Sequence, residues 1–157
     1  MARVSRTIDL PGPISATEDL WYDLRRRRSF FDGFGIVAKL EGPWPQRGAR
    51  VLWDSPPQGR GRVAETVEAY EARSGQTVVF EDEKLRGTQR TTFVAAADGQ
   101  VRVTVALDWS LKEGNAVTDW VFVRRAMGES LRQTLVRYRI ERLADLDDER
   151  ASAAGAP

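Results

Sequence analysis

The stretch Val101-Arg102-Val103-Thr104-Val105-Ala106-Leu107-Asp108-Trp109 decides the fold, together with the change of period that follows it. Side chains on a strand alternate between two faces. Val101, Val103, Val105, Leu107 and Trp109 therefore share one face, and Arg102, Thr104 and Asp108 share the other. One apolar and one wet face describe an antiparallel sheet covered on a single side. From Thr118-Asp119 onward the period becomes helical. Trp120, Val123, Met127, Leu131, Leu135, Tyr138 and Leu143 recur among Arg124, Arg125, Glu129, Arg132 and Arg139. Thr118 or Asp119 is the expected N-cap. The pattern predicts an amphipathic helix running to about Asp145 and lying across the concave face of the sheet. Residues 148–157, ending in Ala151-Ser152-Ala153-Ala154-Gly155-Ala156-Pro157, are expected to form a frayed tail.

Upstream, alternating segments lie at about Val4–Leu10, Ile36–Leu40, Ala49–Ser55, Gly61–Glu71, Thr77–Glu83 and Thr88–Ala96. Gly42-Pro43-Trp44-Pro45, Pro56-Pro57-Gln58-Gly59, Ser74-Gly75, Arg86-Gly87 and Asp98-Gly99 punctuate them, the last being a hairpin signal. Such short connections imply an antiparallel meander of about seven strands. After the first strand, Ser15-Ala16-Thr17-Glu18 fits a capping box. Leu20, Trp21 and Leu24 then continue a short helix from about Ala16 to Arg26. Arg25-Arg26-Arg27-Arg28 is read as its solvated C-terminal end, where positive charge suits the helix dipole. Ser29 to Gly35 is a second short helix or a loop. The sum is an α+β chain forming one domain over residues 1–147, with two short helices after the first strand.

Composition narrows the chemistry. The 157 residues are 41% hydrophobic and 30% charged, with 24 basic against 23 acidic side chains and a net charge of +1. Near-neutrality argues against a nucleic-acid partner. No apolar run approaches the ~18 residues of a membrane span, so a cytoplasmic location is expected. The chain has no cysteine and no histidine. That excludes a disulfide framework, thiol nucleophiles, a Ser-His-Asp triad and imidazole-ligated metal sites, and no metal or cofactor is expected. Monomer and homodimer both stay open.

The strand Gly61–Glu71 poses a problem. One face carries Val63, Glu65 and Val67; the other carries Ala64, Thr66, Glu68 and Tyr70. Either choice takes a carboxylate inward, which is costly unless it is paired, hydrated or protonated. Val63 and Val67 suit a core, but β-branched residues also occupy solvated faces, so periodicity alone does not choose.

Ile8-Asp9-Leu10-Pro11, Gly61-Arg62-Val63-Ala64-Glu65-Thr66-Val67 and Leu107-Asp108-Trp109, in this order of elements, resemble the helix-grip fold of the SRPBCC or START-like superfamily. The likeness is to its polyketide cyclase/dehydrase branch and covers Val4 to about Arg142. It implies a curved antiparallel sheet around the long helix, with an internal cavity of about 300 Å³ or more. In the aromatic polyketide cyclases the alternate residues after the Gly-Arg-Val valine turn into that cavity. Carried over, Thr66, Glu68 and Tyr70 face inward and Glu65 faces solvent. The substrate-polarising arginine of those cyclases has no counterpart on this strand. Trp53, Gln89, Thr91, Phe93, Val105 and Trp109 complete the expected lining from the sheet. Met127, Leu131 and Tyr138 complete it from the helix. The resemblance implies binding of a hydrophobic or aromatic small molecule, lipids included. The alternative is a cyclase/dehydrase-like enzyme using Glu68 and Tyr70 as an acid/base pair.

Overall fold

The computed structural model describes residues 2–113 and 117–155, without the side chains of residues 117–120. In chain order the elements are β1 (Ala2–Pro11), α1 (Ile14–Tyr22), α2 (Arg27–Phe30), β2 (Ile36–Glu41), β3 (Arg50–Asp54), β4 (Arg62–Glu71), β5 (Gly75–Glu81), β6 (Leu85–Ala95), β7 (Gln100–Leu111) and α3 (Val117–Ala154). All seven strands form one antiparallel sheet in the order β1-β7-β6-β5-β4-β3-β2. The two short helices occupy the single long crossing from β1, at one edge, to β2 at the other. The sheet is curved and α3 packs against it.

Strand β7 behaves as its alternation requires. Val101, Val103, Val105, Leu107 and Trp109 are all buried and belong to the main core. The turn from β6 to β7 uses Asp98 and Gly99 at φ 58° and 71°. Both lie in the left-handed region that Asp tolerates and Gly favours, which is why this dipeptide closes a hairpin.

Four local expectations are corrected. Helix α1 has no side-chain cap: Pro13 stands at its N-cap position, and the Glu18 carboxylate bonds Arg73 through both its backbone N–H and its guanidinium. Glu18 is buried, so a charged partner outranks a reach back to Ser15. The four arginines are not one solvated run. Arg27 is buried, and Arg26 bonds Glu141 and Asp145 of α3. Helix α3 continues through the expected tail to Ala154, since nothing before Gly155 breaks it and Ala, Arg and Glu favour helix. Leu143 is 39% exposed, and Arg142 holds the inward position instead, donating to the carbonyls of Pro11 and Gly12. The expected cap at Thr118 or Asp119 and the side chain of Trp120 lie outside the described residues.

Candidate functional site

The carboxylate that β4 turns inward is Glu65. Val63, Glu65 and Val67 are buried, while Thr66 and Glu68 are exposed. This corrects the face expected from the resemblance. Val63 and Val67 enter the core and carry Glu65 with them, and Arg27 of α2 supplies the counterion. Further along, Val67 pairs with Val78 but Ala69 pairs with Thr77, leaving Glu68 as the extra residue of a β-bulge. The bulge shifts the phase by one, so Tyr70, opposite buried Gln76, returns toward the core beside Tyr22. Glu68 and Tyr70 therefore do not share a face, and the expected acid/base pair is not assembled.

Glu65 is held by Arg27 of α2. Both carboxylate oxygens accept from the guanidinium, at 2.7 and 2.9 Å. That guanidinium lies 4.2 Å from the Phe31 ring centroid and 5.0 Å from that of Phe34. A bidentate pair between aromatic faces suits a buried arginine, whose planar charge is weakly hydrated. The pair is 38 residues apart in sequence, and each member alone would be prohibitively placed.

Beside this pair a pocket of about 380 Å³ opens between the sheet and the first half of α3. Phe31, Phe80, Leu85 and Leu107 form its apolar wall on one side, and Val123, Ala126, Met127 and Leu131 form it on the helix. Glycines 33 and 59 border it. Its polar points are Asp32, Arg60, Glu65, Gln89, Ser130 and Thr134. Most are occupied. Asp32 accepts from Ser130 Oγ and Arg137 and donates its N–H to Thr134 Oγ1. Arg60 donates through Nε to Asp82, 2.7 Å away, and its guanidinium lies 5.2 Å from the Phe80 ring centroid. A wider depression of about 710 Å³ runs between β1 and α3, but Arg3, Arg6, Arg124 and Arg125 dominate its wall. The smaller pocket has the apolar lining and few polar points typical of small-molecule sites. Among the described residues no acidic cluster is placed to hold a metal ion.

Of the residues expected to line a cavity, Gln89, Met127 and Leu131 are in this wall. Trp53, Phe93, Val105, Trp109 and Tyr138 are buried in the main hydrophobic core outside this wall, and Thr91 is buried but absent from the lining. Tyr138 shows why. Its hydroxyl donates to the Thr17 carbonyl at 2.5 Å, and its ring meets Trp21 edge-on, with centroids 5.1 Å apart. Burial pushes the phenol of Tyr138 far above its ordinary range, and that of Tyr22 likewise. Sequence reasoning missed Arg27, Arg60, Asp32 and Glu65. Glu65 carries a signal in its phase with Val63 and Val67, and Arg60, which flanks Gly61 with Arg62, is a candidate for an acidic ligand with an exposed hairpin as the preferred reading.

No family model and no curated protein matches this chain. Solved structures do. A START superfamily protein from Mycobacterium smegmatis aligns with a TM-score of 0.70 at 14% identity, over 90% of this chain and 97% of that one. Ara h 8.0201 aligns with a TM-score of 0.71 at 12% identity, over 91% and 98%. A Thermus thermophilus protein aligns with a TM-score of 0.67 at 19% identity, over 92% and 99%. The fold is START-like. The helix-grip architecture implied by the sequence resemblance is thus present along nearly the whole chain. No helix among the described residues is long and apolar enough to cross a membrane.

Proposed function

We propose that this START-like domain holds a hydrophobic or aromatic small molecule between the sheet and the first half of α3. The observation that carries this reading is the pocket of about 380 Å³, apolar on two sides and bordered by a few polar groups. Buried polar side chains in a pocket wall are retained at a cost that a packed apolar core would avoid. The START-like fold supports the same reading, because its curved sheet and long helix leave space that side chains alone need not fill.

The test is a titration with the neutral fluorescent amine N-phenylnaphthylamine, alongside native mass spectrometry of protein purified from its own host. Saturable enhancement with the wild type, abolished by Met127→Trp, is the expected result. Enhancement that survives Met127→Trp unchanged places the dye elsewhere and removes the support for this pocket.

A further inference from the structure

Gln89 projects from β6 into the pocket wall and is only 7% exposed. Its carboxamide has no hydrogen-bond partner among the described residues, yet neither of its polar atoms is sealed from the pocket. The other polar wall groups are engaged: Glu65 by Arg27, and Asp32 by Ser130 and Arg137. Arg60 is half-engaged. Its Nε is bonded to Asp82, while its Nη2 is without an acceptor but sealed from the pocket, which leaves Gln89 as the open donor. A buried amide left open this way selects for a group that completes it.

Resting on the pocket reading above, we infer that the occupant is an apolar molecule bearing one uncharged oxygen acceptor, such as a ketone or ester carbonyl, recognised by Gln89. Charge accounting distinguishes this ligand from a carboxylate. In and behind the wall, Arg27, Arg60 and Arg137 are matched by Glu65, Asp82 and Asp32. No cation is left over, so an incoming carboxylate is a buried charge without a counterion. A carbonyl asks only for a donor, and the Gln89 amide has two N–H groups to offer.

The experiment measures displacement of N-phenylnaphthylamine by three naphthalenes carrying an acetyl, a carboxylate or an ethyl group at the same ring position. The acetyl compound is expected to bind about three- to ten-fold tighter than the ethyl compound, the range for one hydrogen bond. The carboxylate binds no tighter than the ethyl compound. Gln89→Leu brings the acetyl-to-ethyl ratio to about one. Equal binding of acetyl and ethyl compounds to the wild type, a ratio unmoved by Gln89→Leu, or tightest binding of the carboxylate overturns the inference while the pocket reading stands. If neither dye nor any naphthalene binds, the pocket reading falls and the inference with it.

Discussion

The two ends of the space between sheet and helix are built differently. At one end Trp21, Phe30 and Tyr138 interlock, with ring centroids 5.1–5.7 Å apart, and Arg142 ties α3 to Pro11 and Gly12. At the other end Met127 and Leu131 face Gln89, Leu107 and Phe80 across open volume. The same helix spans both. What differs is the opposing surface: Trp21 of α1 and Phe30 of α2 fill the first end with aromatic rings, while α2 ends there and delivers only Arg27 to Glu65 beside the other. Filling therefore depends on where the two short helices place their rings against Tyr138 of α3, and the end they do not reach stays open.

The largest expected effect strikes the ion pair that borders the open end. Glu65→Ala leaves Arg27 buried without a counterion and should cost about 3–5 kcal/mol in denaturant melts. Arg27→Met combined with Glu65→Leu should recover most of that loss, because an apolar pair needs no counterion. Recovery failing would mean that the pair positions α2 in a way apolar packing cannot replace.

The contrast sharpens with added bulk. Leu135→Trp, at a position 2% exposed in the filled end, should cost about 1–3 kcal/mol through overpacking. Met127→Trp, at the open end, has volume to enter and should leave the melting midpoint nearly unchanged. Equal costs would erase the difference between the ends.

Smaller still is Tyr138→Phe, which removes the bond to the Thr17 carbonyl and should cost about 0.5–1.5 kcal/mol. Its pH signature is specific. Burial raises the folded pKa of Tyr138 above the ordinary value of 10.0, so the neutral phenol favours the folded state. That contribution is complete below pH 10 and is lost as pH rises beyond it. Tyr138→Phe should therefore be less sensitive to alkaline unfolding than the wild type.

Glu68→Gln should do least, within about 0.5 kcal/mol, since Glu68 stands exposed on the bulge. A larger change would show that the bulged carboxylate has a role that its exposure does not suggest.

Period and punctuation sufficed for the architecture. The Val101–Trp109 alternation is local, because a single buried face writes itself into every second residue. The Asp98-Gly99 turn is local too, because positive φ restricts residue type. The candidate site was far less legible. Gln89, Met127 and Leu131 could be placed in the wall because they keep phase with apolar neighbours. Arg27 reads as a solvated helix end although it is buried, and the resemblance turns Glu65 to solvent although it faces inward.

Composition, strand period and the switch to helical spacing thus determined an antiparallel sheet with a long final helix. Tertiary structure alone decided which carboxylate turned inward. A bulge at Glu68 depends on cross-strand register, and Arg27 meets Glu65 only when α2 docks against β4. Burial of one charge is tolerable only in the presence of the other, and no local pattern records a partner 38 residues away.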